Sequence, residues 1–399
     1  MDFKKKISEL IKPAFIDEII SIRRHLHRNP ELSFNEHLTS AFIRKQLDNW
    51  DIPYRYPLVD TGIVASVKGK GPGSCVAVRA DMDALPIIEN SKVEFQSQNQ
   101  GVMHACGHDL HMASMLGAIR IVDQLKGLFK GELLFIFQPG EEKLPGGARL
   151  MLEEGIFREK QPDAIIAQHV LPEMEAGHVG FRAGKYMASS DEIYITVNGR
   201  GGHGELPQNI NDPVLMASHI LISLQQEINR KSPSGTPTVL SFGKVVANGA
   251  VNVIPDHVNL EGTFRTMDEV WRKKAHGLIE QIADGIARSM GGSCQVEIRH
   301  GYPVLHNDEK ITGLAKKGAE NFLGADKVEE MDLRMTAEDF AWFAQALPGM
   351  MYRFGVKEPG QDEIFNLHTP GFRADESALE TGASLLAYLS VELLQTIDG

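Results

Sequence analysis

Between Pro13 and Arg28, the apolar residues Ile16, Ile19, Ile20 and Leu26 recur at helical spacing among charged neighbours. That stripe predicts a helix with one buried side. Pro13 suits its first turn, and Asn29-Pro30 ends it, because the residue before a proline avoids the helical region. The pattern then changes. GIVASV at 62–67, CVAVRA at 75–80, LLFIF at 133–137 and AIIA at 164–167 are short, nearly continuous apolar runs. Such runs predict strands buried on both faces. A helix at about 110–125 is predicted between the second and third runs, with Met112, Met115, Leu116, Ile119, Val122 and Leu125 on one side. A further helix is predicted after Gly146-Gly147, through ARLMLEE. Strands alternating with helices indicate an α/β layered domain.

The texture shifts near 186–190. From there the pattern gives a strand at 192–197, a helix at about 212–229, strands at 239–246 and 257–264, a helix at about 269–290 and a strand at 294–300. This β-α-β-β-α-β order is the split βαβ arrangement of a ferredoxin-like α+β domain. It is expected as an insertion, 188–301, within a discontinuous domain formed by 1–187 and 302–399. Insertions of this kind are tolerated where chain ends lie close together. After about 302 the α/β texture resumes, ending in a helix near 376–396.

Composition narrows the function. The chain has 399 residues, 42% of them hydrophobic, and a net charge of -12. The charge argues against nucleic acid or an anionic membrane surface as partner. No apolar run approaches the roughly 20 residues that span a bilayer. The start, MDFKKKISELIKPAF, has basic residues but no continuous apolar core, so no signal peptide is expected. Cys75, Cys106 and Cys294 are too few and too scattered for a disulfide framework, and a cytoplasmic setting is expected.

The chemistry begins in MHACGHDLHM, 103–112, which holds three histidines and a cysteine. Cys106 and His108 offer a thiolate and an imidazole, good donors for zinc and other first-row metals. A Cys-x-His pair in a loop is also what an incidental sequence looks like. His111, one helical step on, fits a surface histidine equally well. FQPGEE, 137–142, follows a strongly apolar strand, and ligand sites of open α/β sheets gather beyond the strands' carboxyl ends. There one of Glu141 and Glu142 could bind metal while the other acts as a general base. A solvated acidic turn is the alternative. His169 closes the AIIA strand, and His368 lies in the Pro/Gly loop NLHTPGF. Each histidine alone fits packing or surface, but together these donors fall at loops or strand ends of one framework. Asp81 and Asp83 end another strand, where they could touch a metal, orient an imidazole or form a turn. His203, among the glycines of GRGGHGELP, could reach a reacting oxygen or sit at a hairpin tip. TAED, 336–339, reads as a helix N-cap signature.

In order along the chain stand RRHLHRNPELSFNE, VRADMDALPI, MHACGHDLHMA, FIFQPGEE, GGHGELP, NVIPDHVNLEGTFRT, TAEDFAWF and LHTPGFRADESAL. With these eight motifs the chain resembles the M20 metallopeptidase family over roughly residues 20–390, above all its amidohydrolase branch. The resemblance implies a zinc-peptidase-like α/β/α catalytic domain, interrupted by a lid domain through which a homodimer forms. It implies two divalent metal ions per subunit, with Cys106, His108, Glu142, His169 and His368 as ligands and Glu141 as general base. His203 and Asn252 would approach the oxyanion, in related enzymes from the neighbouring subunit. One departure is visible: the branch usually carries His where this chain has Gln208, and Ala where it has Glu205. That leaves the metal centre untouched and bears on substrate preference.

The expected reaction is hydrolysis of the amide bond of small N-acyl amino acids, giving a carboxylic acid and a free amino acid. A dipeptidase or carboxypeptidase on the same fold is the alternative. A binding protein without catalysis would have lost the base or a ligand, and a closed structural zinc site needs no spare glutamate. Thiolate and imidazole favour zinc, cobalt or nickel, whereas carboxylates also accept manganese, which the resemblance keeps in play.

Overall fold

All four apolar runs of the first 170 residues enter one eight-stranded sheet. Its order is Tyr54–Leu58, Gly62–Lys68, Glu132–Gln138, Cys75–Asp81, Ala164–Glu175, Gly349–Lys357, Val179–Phe181 and Val328–Glu330. The four strands from Glu132–Gln138 to Gly349–Lys357 are parallel, and antiparallel pairings flank them. The computed structural model describes residues 3–397 and divides into two compact units. The first takes the chain up to Gly184, with His306–Asp332 and the chain from Asp339 on. The second comprises Lys185–Leu305 and Leu333–Glu338.

In the first unit the parallel strands are buried on both faces, which is why they read as continuous apolar runs. Val76, Val78 and Ala80 pack with the helices Pro13–Arg28, His108–Gln124 and Ala378–Thr396 in one core. The helices Gly147–Glu154 and Ala341–Ala346 pack on Glu132–Gln138 and Gly349–Lys357 respectively. The helix His108–Gln124 starts earlier than its apolar stripe and is buried almost all round. Patterning gave no sign of the strand Gly349–Lys357, although it lies beside Ala164–Glu175 in the middle of the sheet.

The second unit has the order read from sequence. Its antiparallel sheet runs Thr238–Val246, His257–Thr266, Asp191–Asn198, Ser293–His300, with helices Pro213–Lys231 and Glu269–Ser289. Ile193, Ile195 and Val197 alternate inward against those helices. Asp212 and Asp268 accept backbone N–H bonds at the two helix starts. Residues 333–338, expected with the flanking chain, belong here because Arg334 N donates to Tyr186 O (3.0 Å) and Ala188 N to Arg334 O (3.1 Å). Among the described residues, no helix is long and apolar enough to cross a membrane.

TAED does not cap a helix. The helix Ala341–Ala346 begins at Phe340 without a side-chain cap. Asp339 instead lies buried among donors: its carboxylate accepts from Arg79 Nη2 (2.8 Å), Gln138 Nε2 (2.7 Å) and Ala148 N (3.0 Å). Three donors in the interior outweigh a cap at the helix end.

Candidate metal centre

The parallel strands deliver side chains to one edge. Asp81 pairs with Gln138 and Arg79 with Ala167, so Asp81, Gln138 and His169 leave neighbouring strands at the same level. The loop that carries Cys106 turns into its helix at Gly107, whose φ is 81°. A Cβ there would come within 2.6 Å of Val170 Cγ2. Only glycine brings Cys106 and His108 this close to the strand that carries His169. The loop with His368 is tied on by a bond from His368 N to Ala105 O (2.8 Å), and His368 itself is left-handed at φ 60°. Side chains other than glycine rarely adopt that conformation, and it recurs at functional sites.

These elements gather five donors in the first unit. Cys106 Sγ lies 3.5 Å from His169 Nε2 and 3.3 Å from His368 Nε2. Glu142 Oε1 is 3.2 Å from His368 Nε2 and 4.0 Å from His108 Nε2. One group of mutually close donor atoms is Cys106, His108 and His169; a second is Cys106, Glu142 and His368. Cys106 belongs to both. His108, Glu141 and Glu142 form a third group. The second ring nitrogens are engaged elsewhere: His108 Nδ1 with Asp83 O (2.8 Å) and His169 Nδ1 with Val170 O (2.9 Å). That leaves the Nε2 atoms for the shared space.

A metal ion fits these donors. His108 Nε2 and Glu142 Oε1 are buried and make no hydrogen bond, which natural interiors rarely tolerate. Sulfur and nitrogen bound to one zinc at about 2.3 and 2.0 Å stand roughly 3.5 Å apart at a tetrahedral angle, close to the separations at Cys106. The electrostatics agree. Burial pushes the Cys106 thiol well up, and Glu142, Glu141 and Asp81 push it the same way. Burial opposes charge on His108 too, but Asp81, Asp83 and Glu142 prevail and raise the imidazole to about 10. Burial, with Arg353 adding to it, holds His169 well below its ordinary value. A divalent cation accommodates thiolate, carboxylate and neutral imidazole together.

Around the donors runs a buried polar network. Arg79 donates to Asp81 Oδ2 (2.7 Å), Gln138 Oε1 (2.8 Å) and Asp339. Asp81 Oδ1 pairs with His111 Nδ1 (2.6 Å), and His111 Nε2 accepts from Val170 N (3.0 Å). The amide fixes the tautomer: Nδ1 carries the proton, and Asp81 accepts it. His111 is therefore not a surface histidine but part of the frame under the His169 strand. Asp83 does not simply form a turn; its carboxylate accepts from Glu141 N, Glu142 N and Ser33 Oγ. Glu36, which patterning passed over, lies buried in the same region, and burial with Asp83 nearby raises it to about 7. The signal for the network was there in Arg79, a charge inside an otherwise apolar strand.

His203 and Asn252 come together in the second unit. His203 pairs with Val253 in a two-stranded ribbon, and Gly204 N donates to Asn252 O (2.9 Å). His203 is exposed, with Nδ1 2.8 Å from the Glu205 carboxylate.

Residues 77–392 match peptidase family M20/M25/M40. The chain is 37% identical over 385 residues to the N-acetylcysteine deacetylase of Bacillus subtilis (strain 168), covering 96% of this chain and 99% of that protein. It is 35% identical over 395 residues to thermostable carboxypeptidase 2 of Saccharolobus solfataricus, covering 98% and 99%. The crystal structure of Bacillus subtilis YXEP is described as a dinuclear metal binding peptidase from the M20 family. It matches with a TM-score of 0.83 at 35% identity, covering 96% of this chain and 99% of that one.

Proposed function

The chain belongs to peptidase family M20/M25/M40 and is a metal-dependent amidohydrolase; on that premise we propose that it cleaves N-acyl amino acids into a carboxylic acid and a free amino acid. Glu141 is the observation that carries this reading. It is buried, grouped with His108 and Glu142, and left over once five donors are assigned to metal. A structural site has no use for such a spare acid.

Cys106, His108, Glu142, His169 and His368 would hold two divalent cations, manganese or zinc, with cobalt or nickel as alternatives. When bound, such ions polarise the amide carbonyl and lower the pKa of water from about 15.7 towards about 7. Glu141 takes the proton of the attacking water and later delivers it to the amine nitrogen, so the departing group leaves neutral. The backbone N–H of Asp339, 3.3 Å from Glu141 Oε1, helps to orient that carboxylate. We assign His203, with Asn252 beside it, to the developing oxyanion, contributed by the partner of a homodimer. One donor of that kind is worth roughly 10²–10³ in rate.

A peptidase reading is favoured by the carboxypeptidase relative. A panel of N-acetyl amino acids, N-benzoyl amino acids and dipeptides, given to the metal-loaded protein, decides between them. Turnover of dipeptides alone overturns the N-acyl reading. Glu141→Gln is expected to keep its metal and lose roughly 10²–10⁴ in kcat; near-normal turnover removes Glu141 from its role.

A further inference from the structure

Three successive amides, those of Gly140, Glu141 and Glu142, point to carboxylates buried behind them. Gly140 N donates to Glu36 Oε1 (2.8 Å), Glu141 N to Asp83 Oδ1 (3.1 Å) and Glu142 N to Asp83 Oδ2 (2.9 Å). Glu36 is 0% exposed and pairs with no cation among the described residues. Its other partners are Phe34 N (2.9 Å) and the Thr61 hydroxyl (2.8 Å). A buried carboxyl without a cation is unfavourable unless donors surround it, and two of the donors here are the turn's own Gly140 amide and the amide of Phe34, whose ring packs on Gly140. The turn is also closed from the side: Gly140 has φ 60°, and a Cβ there would come within 2.4 Å of the Phe34 ring. Glu36 and Phe34 thus grip the residue before Glu141 from two directions. Glu36 is held firmly itself, at the start of the helix His37–Asn49, without its side chain capping that helix.

We propose that Glu36 is a positioning residue for the reaction: by accepting the Gly140 amide it sets the turn that aims Glu141, while Asp83 holds the two residues that follow. The proposal rests on the reading of Glu141 as the base. The Glu36 carboxylate bonds Gly140 N, Phe34 N and the Thr61 hydroxyl and, among the described residues, none of the donor atoms, so it acts on the rate and not on substrate affinity. Removing it relaxes the turn, and a misplacement of about 1 Å at a reacting group reduces rate by up to 10²-fold.

Glu36→Ala and Glu36→Gln, each loaded with manganese or zinc, test this. In Glu36→Ala, kcat falls about 10–100-fold, KM stays within about twofold and bound metal is unchanged, because Asp83 still holds Glu142. Glu36→Gln, whose carbonyl oxygen can still accept both amides, recovers most of that loss. Hydrogen exchange at the Gly140 amide speeds up by about tenfold in Glu36→Ala, as expected for one lost hydrogen bond. Unchanged kcat, an altered KM with kcat kept, equal losses in both variants or an unchanged Gly140 amide each overturn the proposal. If Glu36→Ala does not fold, Thr61→Val, which removes the hydroxyl on Oε2, is expected to lower kcat several-fold with metal retained; wild-type turnover there overturns it. Glu141→Gln, assayed alongside, reports separately on the base: its activity bears on Glu141, whereas the amide exchange bears on Glu36 alone.

Discussion

Cys106 Sγ lies 3.3 Å from His368 Nε2, although 262 positions separate the two residues in the chain. The sulfur belongs to two of the three donor groups named above, so on the proposed ligand set its loss is expected to weaken both ion positions. Cys106→Ala is expected to lower metal affinity at least roughly tenfold, since thiolate binding contributes folding and binding energy together. Elemental analysis after dialysis checks this, and full occupancy in the variant removes Cys106 from the ligand set.

Asp81 stands behind the proposed ligands. It accepts the proton of His111 Nδ1, takes Arg79 Nη1 and stands 3.7 Å from His108 Nε2. Burial opposes its charge, but His108, Arg79 and His111 hold the carboxyl well below its usual range. Asp81→Asn keeps the shape and loses that charge. Carboxylates that orient metal-binding imidazoles typically contribute about 10–100-fold to affinity, and a loss of that size is expected in a competition titration with a chelator. Unchanged affinity shows that Asp81 serves the fold alone.

Asp191 gives the second unit its own response to acid. Its buried carboxylate accepts from Arg272 Nε (2.9 Å) and Nη2 (2.6 Å), and His276 Nε2 lies 2.8 Å away. Burial opposes the charge, but Arg272 and His276 prevail and bring its pKa from 3.8 down to about 2. A depressed carboxyl stabilises the fold above its unfolded pKa, and that contribution disappears as pH falls from about 4 through about 2. It amounts to about 2 kcal/mol. The difference in denaturation midpoint between the wild type and Asp191→Asn is therefore expected to narrow as pH falls below about 4. A difference that ignores pH rules the mechanism out.

Periodicity carried the second unit almost completely, because its sheet has one buried face and Ile193, Ile195 and Val197 alternate inward. The first unit was harder to read. Gly349–Lys357 was missed because GMMYRFGVK mixes glycines, an arginine and a tyrosine with apolar residues, and the sheet buries nearly all of them. Cys106, His108, Glu142, His169 and His368 were visible as metal-binding residue types at strand ends, and the structure brings them together. Their supports were legible only in part: Asp81 and Asp83 stood out as carboxylates able to orient an imidazole, and Arg79 as a charge in an apolar strand. His111, Arg79, Gln138, Asp339 and Glu36 act through partners distant in sequence, and a carboxyl on a buried turn looks like any other glutamate until the fold shows which amides it faces. Glu205 is a residue where the departure noted in sequence has a visible effect, since its carboxylate reaches His203.

The donors have an order in time as well as in space. Cys106, His108, Glu142 and His169 leave the ribosome ahead of the inserted unit, and His368 follows it. A growing chain thus presents four of the five groups throughout the synthesis of the whole insertion. On the proposed ligand set, the last donor is therefore supplied only after the inserted unit has been made.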